Sequence, residues 1–103
     1  NVEKEFFERE LLSLPNTPNI NSLYPNPFNP ILNISYSLPT ETNLSVVVYN
    51  MLGEQVSVLV NNVYTTAGFH STNWNASKFP SGMYFIKIET PSIIDTKKAL
   101  LLK

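Results

Sequence analysis

From Leu32 onward, hydrophobic residues recur at every second position, and this period limits the fold more than any other property of the chain. Leu32, Ile34, Tyr36 and Leu38 alternate with Asn33, Ser35 and Ser37, the pattern of a strand with one buried face. After a turn at Pro39 to Asn43 the pattern resumes with Leu44, Val46 and Val48 on one face and Val47 and Tyr49 on the other. Gly53 lies in the next turn, Asn50 to Glu54, and can adopt the positive φ that a tight reversal demands. Gln55 to Val60 then places Val56, Val58 and Val60 on one face and Ser57 and Leu59 on the other, completing an expected hairpin. Three further strands are expected: Phe69 to Asn75 with the single tryptophan Trp74, Gly82 to Glu89, and Ile94 to Leu102. Short strands separated by turn residues, with no helical period between them, predict an all-β fold: an antiparallel immunoglobulin-like β-sandwich of about seven strands.

The residues before Leu23 follow a different rule. Six of the fifteen charged residues fall in the first ten positions, and Asn1 to Leu12 has helical spacing, with Val2/Phe6 and Phe7/Leu11 four apart and Glu5 four before Arg9. Leu14 to Ser22 (LPNTPNINS) predicts a linker, because its prolines remove donors and its Asn and Ser side chains favour turns. The expected organisation is therefore residues 1–22 as the end of a preceding region plus linker, and residues 23–103 as the sandwich. The chain opens on Asn1 rather than Met, as expected of a module from a longer protein. At the other end, Ala99 to Leu102 is apolar on both faces; such a run either lies centrally in its sheet or awaits a partner strand, including weak self-association with a second copy.

Composition excludes several functions. No apolar run reaches the roughly 18 to 20 residues of a spanning helix, so no integral membrane segment is expected. A net charge of −1, with one Arg and six Lys dispersed, lacks the basic patch that nucleic-acid phosphates require. Glu41, Glu54, Glu89 and Asp95 fall in separate predicted elements, so no carboxylate pair is placed for acid–base work. His70 precedes Ser71, but neighbours on a strand point to opposite faces, and His70 is expected to be a surface or packing residue. With no cysteine, one histidine and isolated glycines at 53, 68 and 82, neither a metal site nor a phosphate loop is expected, and the chain is read as a non-enzyme without cofactor.

The most specific segment is Leu23-Tyr24-Pro25-Asn26-Pro27-Phe28-Asn29-Pro30, whose three prolines suppress both helix and regular ladder and leave a stiff, extended brace. In this segment the sequence resembles the C-terminal sorting domain of the type IX secretion system. Ser37-Leu38-Pro39, Val48 to Val56 (VYNMLGEQV), Ala67-Gly68-Phe69-His70, Trp74-Asn75, Pro80 to Phe85 (PSGMYF) and Lys97 to Lys103 (KKALLLK) match in order. The resemblance implies a non-enzymatic sorting signal formed by Pro25, Asn26 and Pro27, by Gly82 and Tyr84, and by Lys98, Leu100, Leu102 and Lys103. It also implies an N-terminally fused cargo that transits the periplasm, meets the translocon and a surface sortase, and ends at the cell surface or outside. If a sortase removes the domain, exposure places the cut in Leu14, Pro15, Asn16, Thr17, Pro18, Asn19, Ile20, Asn21 or Ser22. The alternative is an uncleaved structural or adhesive sandwich, either like those of flagellar hook-capping proteins or a carbohydrate binder using Trp74, Tyr84 and Tyr49.

Overall fold

The computed structural model of the chain describes residues 18–103. The helical expectation for Asn1 to Leu12 and the linker positions Leu14 to Thr17 lie outside the described residues. The remainder holds seven strands: β1 (Asn19–Tyr24), β2 (Ile31–Leu38), β3 (Thr42–Tyr49), β4 (Gln55–Thr65), β5 (Gly68–Asn75), β6 (Gly82–Glu89) and β7 (Ile94–Leu101). They form two antiparallel sheets ordered β1-β2-β5 and β4-β3-β6-β7. Consecutive β2 and β3 lie in different sheets, β5 returns to β2 and β6 returns to β3, so the all-β, immunoglobulin-like sandwich expected from the period-two pattern is what forms.

The inner faces are the predicted ones. Leu32, Ile34, Tyr36 and Leu38 of β2 face Leu44, Val46 and Val48 of β3 and Tyr84, Ile86 and Ile88 of β6 in one continuous core. Around Trp74 the core is aromatic, with ring centroids 5.7 Å from Phe28, 5.4 Å from Phe79 and 5.1 Å from Tyr84. Aromatic pairs at such offset or edge geometry add about 0.5–1.5 kcal/mol each beyond the area they bury. His70 stacks on Tyr36 at 5.7 Å, and its Nε2–H donates to the Thr66 carbonyl, the packing role expected of it.

Three expectations are corrected. The domain begins before Leu23, because Asn19 to Tyr24 pairs along β2 and Ile20 is buried in the core. The Asn-rich composition that suggested a linker is accommodated by a bulge between Ile20 and Ser22, and Ser37 Oγ donates to Asn19 Oδ1 with Asn21 Oδ1 3.2 Å away. In β4, the register pairs Val46 with Val60 and Val47 with Val58, leaving Leu59 as the extra residue. Leu59 therefore joins Val56 and Val60 against the core while Val58 turns to solvent, since a one-residue slip exchanges faces. Finally, β7 is an edge strand, neither central nor free. Ala99 and Leu101 are buried, Leu100 is half-buried opposite Met83 on the outer face, and Leu102 lies beyond the strand, exposed.

Candidate recognition site at one pole of the sandwich

The registers give the sandwich two distinct ends. At one, β1 begins at Asn19 opposite Ser37, and the connections 39–41, 66–67 and 90–93 close the strands. At the other lie residues 25–30, the turn 50–54, the loop 76–81 and residues 102–103. The Pro-rich block, the Asn50 turn, the Gly82-x-Tyr84 pair and the Lys-flanked final run, which are scattered over almost eighty positions in sequence, thus converge at this second pole.

Residues 25–30 leave the three-stranded sheet, cross to the outer edge of β7 and return to start β2. Phe28 N–H donates to the Leu100 carbonyl at 2.9 Å and Leu102 N–H donates to the Phe28 carbonyl at 3.1 Å, a parallel bridge between Phe28 and Leu101. Asn26 extends the contact with its side chain: Oδ1 accepts from Leu100 N–H at 3.0 Å and Nδ2 donates to the Lys98 carbonyl at 3.4 Å. Prolines on either side of these two residues suit the position, because an edge cover needs donors only where it touches the ladder. The Phe28 ring, 1% exposed, anchors the crossing in the aromatic core. Further along β7, the Ile20 N–H donates to Asp95 Oδ2 at 2.8 Å. The outer edge of β7 is thus closed by a clasp made from the other end of the domain, and the Lys98–Leu102 edge is not open to self-association by strand pairing as expected.

Gly82 and Tyr84 have structural tasks at this pole. Gly82 sits at φ +155, and an added Cβ would meet nothing within 4 Å, so backbone conformation rather than space selects glycine. Tyr84 is buried against Trp74, and its hydroxyl donates to the Pro80 carbonyl at 2.7 Å, tying the 76–81 loop to β6. Burial raises the Tyr84 pKa above the usual phenol range. Lys103 holds the same loop from the opposite side, donating from its backbone N–H to Ser81 Oγ at 2.9 Å and from Nζ to the Ser77 carbonyl at 2.7 Å.

The sequence-predicted signal residues therefore divide by role. Asn26 and the backbone of Leu100 and Leu102 form the clasp, Gly82, Tyr84 and Lys103 fix the adjoining loop, and the Pro25, Pro27 and Lys98 side chains face solvent. Phe28, Ser77 and Ser81 complete the arrangement and were absent from the expected set. Phe28 was detectable as the one apolar residue between Pro25 and Pro30, whereas nothing local marks the two serines. Of the expected cleavage positions, Asn19, Ile20, Asn21 and Ser22 lie in β1 rather than in a linker, with Ile20 buried. The carbohydrate platform is also corrected. Trp74 and Tyr84 are 2% and 4% exposed and offer no stacking face, and one face of the Tyr49 ring lies under Lys87 Nζ at 4.9 Å, so the three do not form a platform.

Among the described residues, no group of three or more His, Cys, Asp or Glu could hold a metal ion. No described helix is long and apolar enough to cross a membrane. A family described as the secretion system C-terminal sorting domain matches residues 22–102. No curated protein matches the chain.

Proposed function

The chain belongs to the secretion system C-terminal sorting domain family, that of type IX secretion, and from this membership we propose that its clasped pole is the surface read by the secretion machinery. As a sorting domain it directs an N-terminally joined cargo to the cell surface or the extracellular space. The observation that carries the finer reading is the joining of residues 26–28 to residues 98–102 at the pole opposite the first strand's entry. The chain enters the sandwich at Asn19 and the signal lies at the opposite pole, so a bulky cargo joined upstream leaves it unobstructed. The domain acts by shape and contact without catalysing a reaction. Its route runs through the periplasm, and a surface sortase separates it from cargo by cutting before Asn19, upstream of the first ladder bond.

The test fuses the full chain to a leader-bearing fluorescent reporter in a host with the secretion system, beside a variant lacking Ala99 to Lys103 and a K98A/K103A variant that keeps β7. Both variants should leave reporter inside the cell envelope, and equal release of all three would refute the reading. Mass spectrometry of released reporter should find a terminus before Asn19. An intact Lys103 terminus would instead identify a retained structural module.

A further inference from the structure

We propose that the chain self-associates through β5: the outer edge of Gly68 to Asn75 pairs antiparallel with the same edge of a second copy, joining two three-stranded sheets into one of six strands. The proposal is independent of the sorting reading.

Four strands end the two sheets, β1 and β5 in one and β4 and β7 in the other. An edge strand presents a row of unpaired N–H and C=O groups, and folds that stay monomeric blunt it with charge, proline, a bulge or a covering segment. Three of the four edges carry such a device. β1 is short and bulged between Ile20 and Ser22, and Asp95 takes its Ile20 N–H. β4 shifts register against β3 in three places. β7 carries Asp95, Lys97 and Lys98 and lies under the clasp of Asn26 and Phe28.

β5 has none of these. Its eight residues pair with β2 without a shift, from Asn75 opposite Ile31 to Gly68 opposite Leu38. The strand holds no Asp, Glu, Lys, Arg or Pro. Among the described residues, no hydrogen bond reaches its backbone from outside β2. His70 bonds the Thr66 carbonyl with its ring, and Asn75 accepts from Ser77 N–H with its side chain.

The occupant follows from this chemistry. Alternating donors and acceptors on a regular edge are satisfied by another extended backbone, and an antiparallel edge is complementary to itself. A two-fold axis at Ser71 pairs residues 68–74 and one at Thr72 pairs residues 69–75; either keeps the outer faces of both copies on the same side. Because β5 is uncharged, the axis brings no like charges together, whereas the same operation on β7 would set Lys97 and Lys98 against the lysines of the second copy. Phe69, 67% exposed on the outer face, gains a cross-strand neighbour. β5 lies at the far side of its sheet from β1, which is bonded to β7, so the paired copies leave the clasp uncovered.

The experiment follows the full chain by sedimentation equilibrium between about 10 μM and about 1 mM. The mean mass should rise toward twice that of one chain, and the β5 amides not bonded to β2 should exchange more slowly as concentration rises. S71K/N73K sets like charges across the axis from exposed positions and should weaken association about tenfold or more, while melting within a few degrees of the parent. V58K/N61K adds the same charge at exposed positions of β4 and should leave association unchanged. A mass that stays at one chain at about 1 mM would overturn the proposal, as would association that S71K/N73K leaves intact or that V58K/N61K abolishes. If S71K/N73K does not fold, exchange in the parent decides, and β5 amides indifferent to concentration would refute the pairing.

Discussion

Replacing Asn26 by alanine tests the clasp apart from the core. The substitution removes one hydrogen bond of ordinary length, to Leu100 N–H at 3.0 Å, and one long bond, to the Lys98 carbonyl at 3.4 Å, both exposed. An ordinary intramolecular hydrogen bond contributes about 0.5–1.5 kcal/mol net, and the long one adds little, so Asn26→Ala should cost about 1 kcal/mol. The freed groups face water, so no penalty for burying an unpaired donor is added. For a domain of this size the melting temperature should fall by about 4–8 °C. The more specific readout is amide hydrogen exchange. Leu100 N–H should exchange about fivefold faster, the equivalent of that energy, whereas amides of the β2–β5 ladder should slow or quicken only with global stability. Asn26→Asp keeps the Oδ1 acceptor and should protect Leu100 nearly as well as the parent. An Asn26→Ala chain whose Leu100 exchange and melting temperature match the parent would show that Asn26 does not hold β7 and would refute its part in the clasp.

Two further outcomes follow from the core. Trp74→Ala should cost about 3–5 kcal/mol in urea unfolding, whereas Trp74→Phe should cost at least about 2 kcal/mol less, because the indole Nε1–H is buried with no acceptor and the smaller ring keeps most contacts. At high pH the hydroxyls of the buried side chains Tyr36 and Tyr84, whose pKa values burial raises, stay protonated in the fold while the unfolded chain ionises near pH 10. Folded molecules then hold more protons, so stability should be complete below about pH 10 and decline as pH rises through the folded values. Tyr84→Phe should flatten that decline in unfolding measured across this range.

What could be read from sequence followed the distance between partners. The strand faces of β2, β3 and β6 were legible because alternation is local: Leu32 to Leu38 declares its buried side without reference to any other strand. Trp74 was legible as core, being the largest apolar surface in a small sandwich. β1 was not legible as a strand, because Asn19, Asn21 and Ser22 are poor strand formers. The pairing of Asn19 with Ser37 and of Ser22 with Ser35, and the bond from Ile20 N–H to Asp95, supply what local propensity lacks. The Leu59 bulge was hidden for a related reason: the alternation of Val56, Val58 and Val60 is intact in sequence and only the register against β3 breaks it. At the pole, the motif blocks were recognisable singly, but Asn26 and Leu100 are 74 residues apart, and no period in the chain announces that they touch.

The arrangement proposed for cargo and recognised surface, at opposite poles, has a mechanical consequence. If the machinery grips the clasped pole while cargo drags at Asn19, tension runs along the strand axes and crosses the β1–β2 hydrogen bonds at right angles. Those bonds then yield together in shear instead of parting one after another. Under that load, force between handle and cargo would meet its resistance in the paired backbone of β1, a short strand whose polar sequence predicted only a linker.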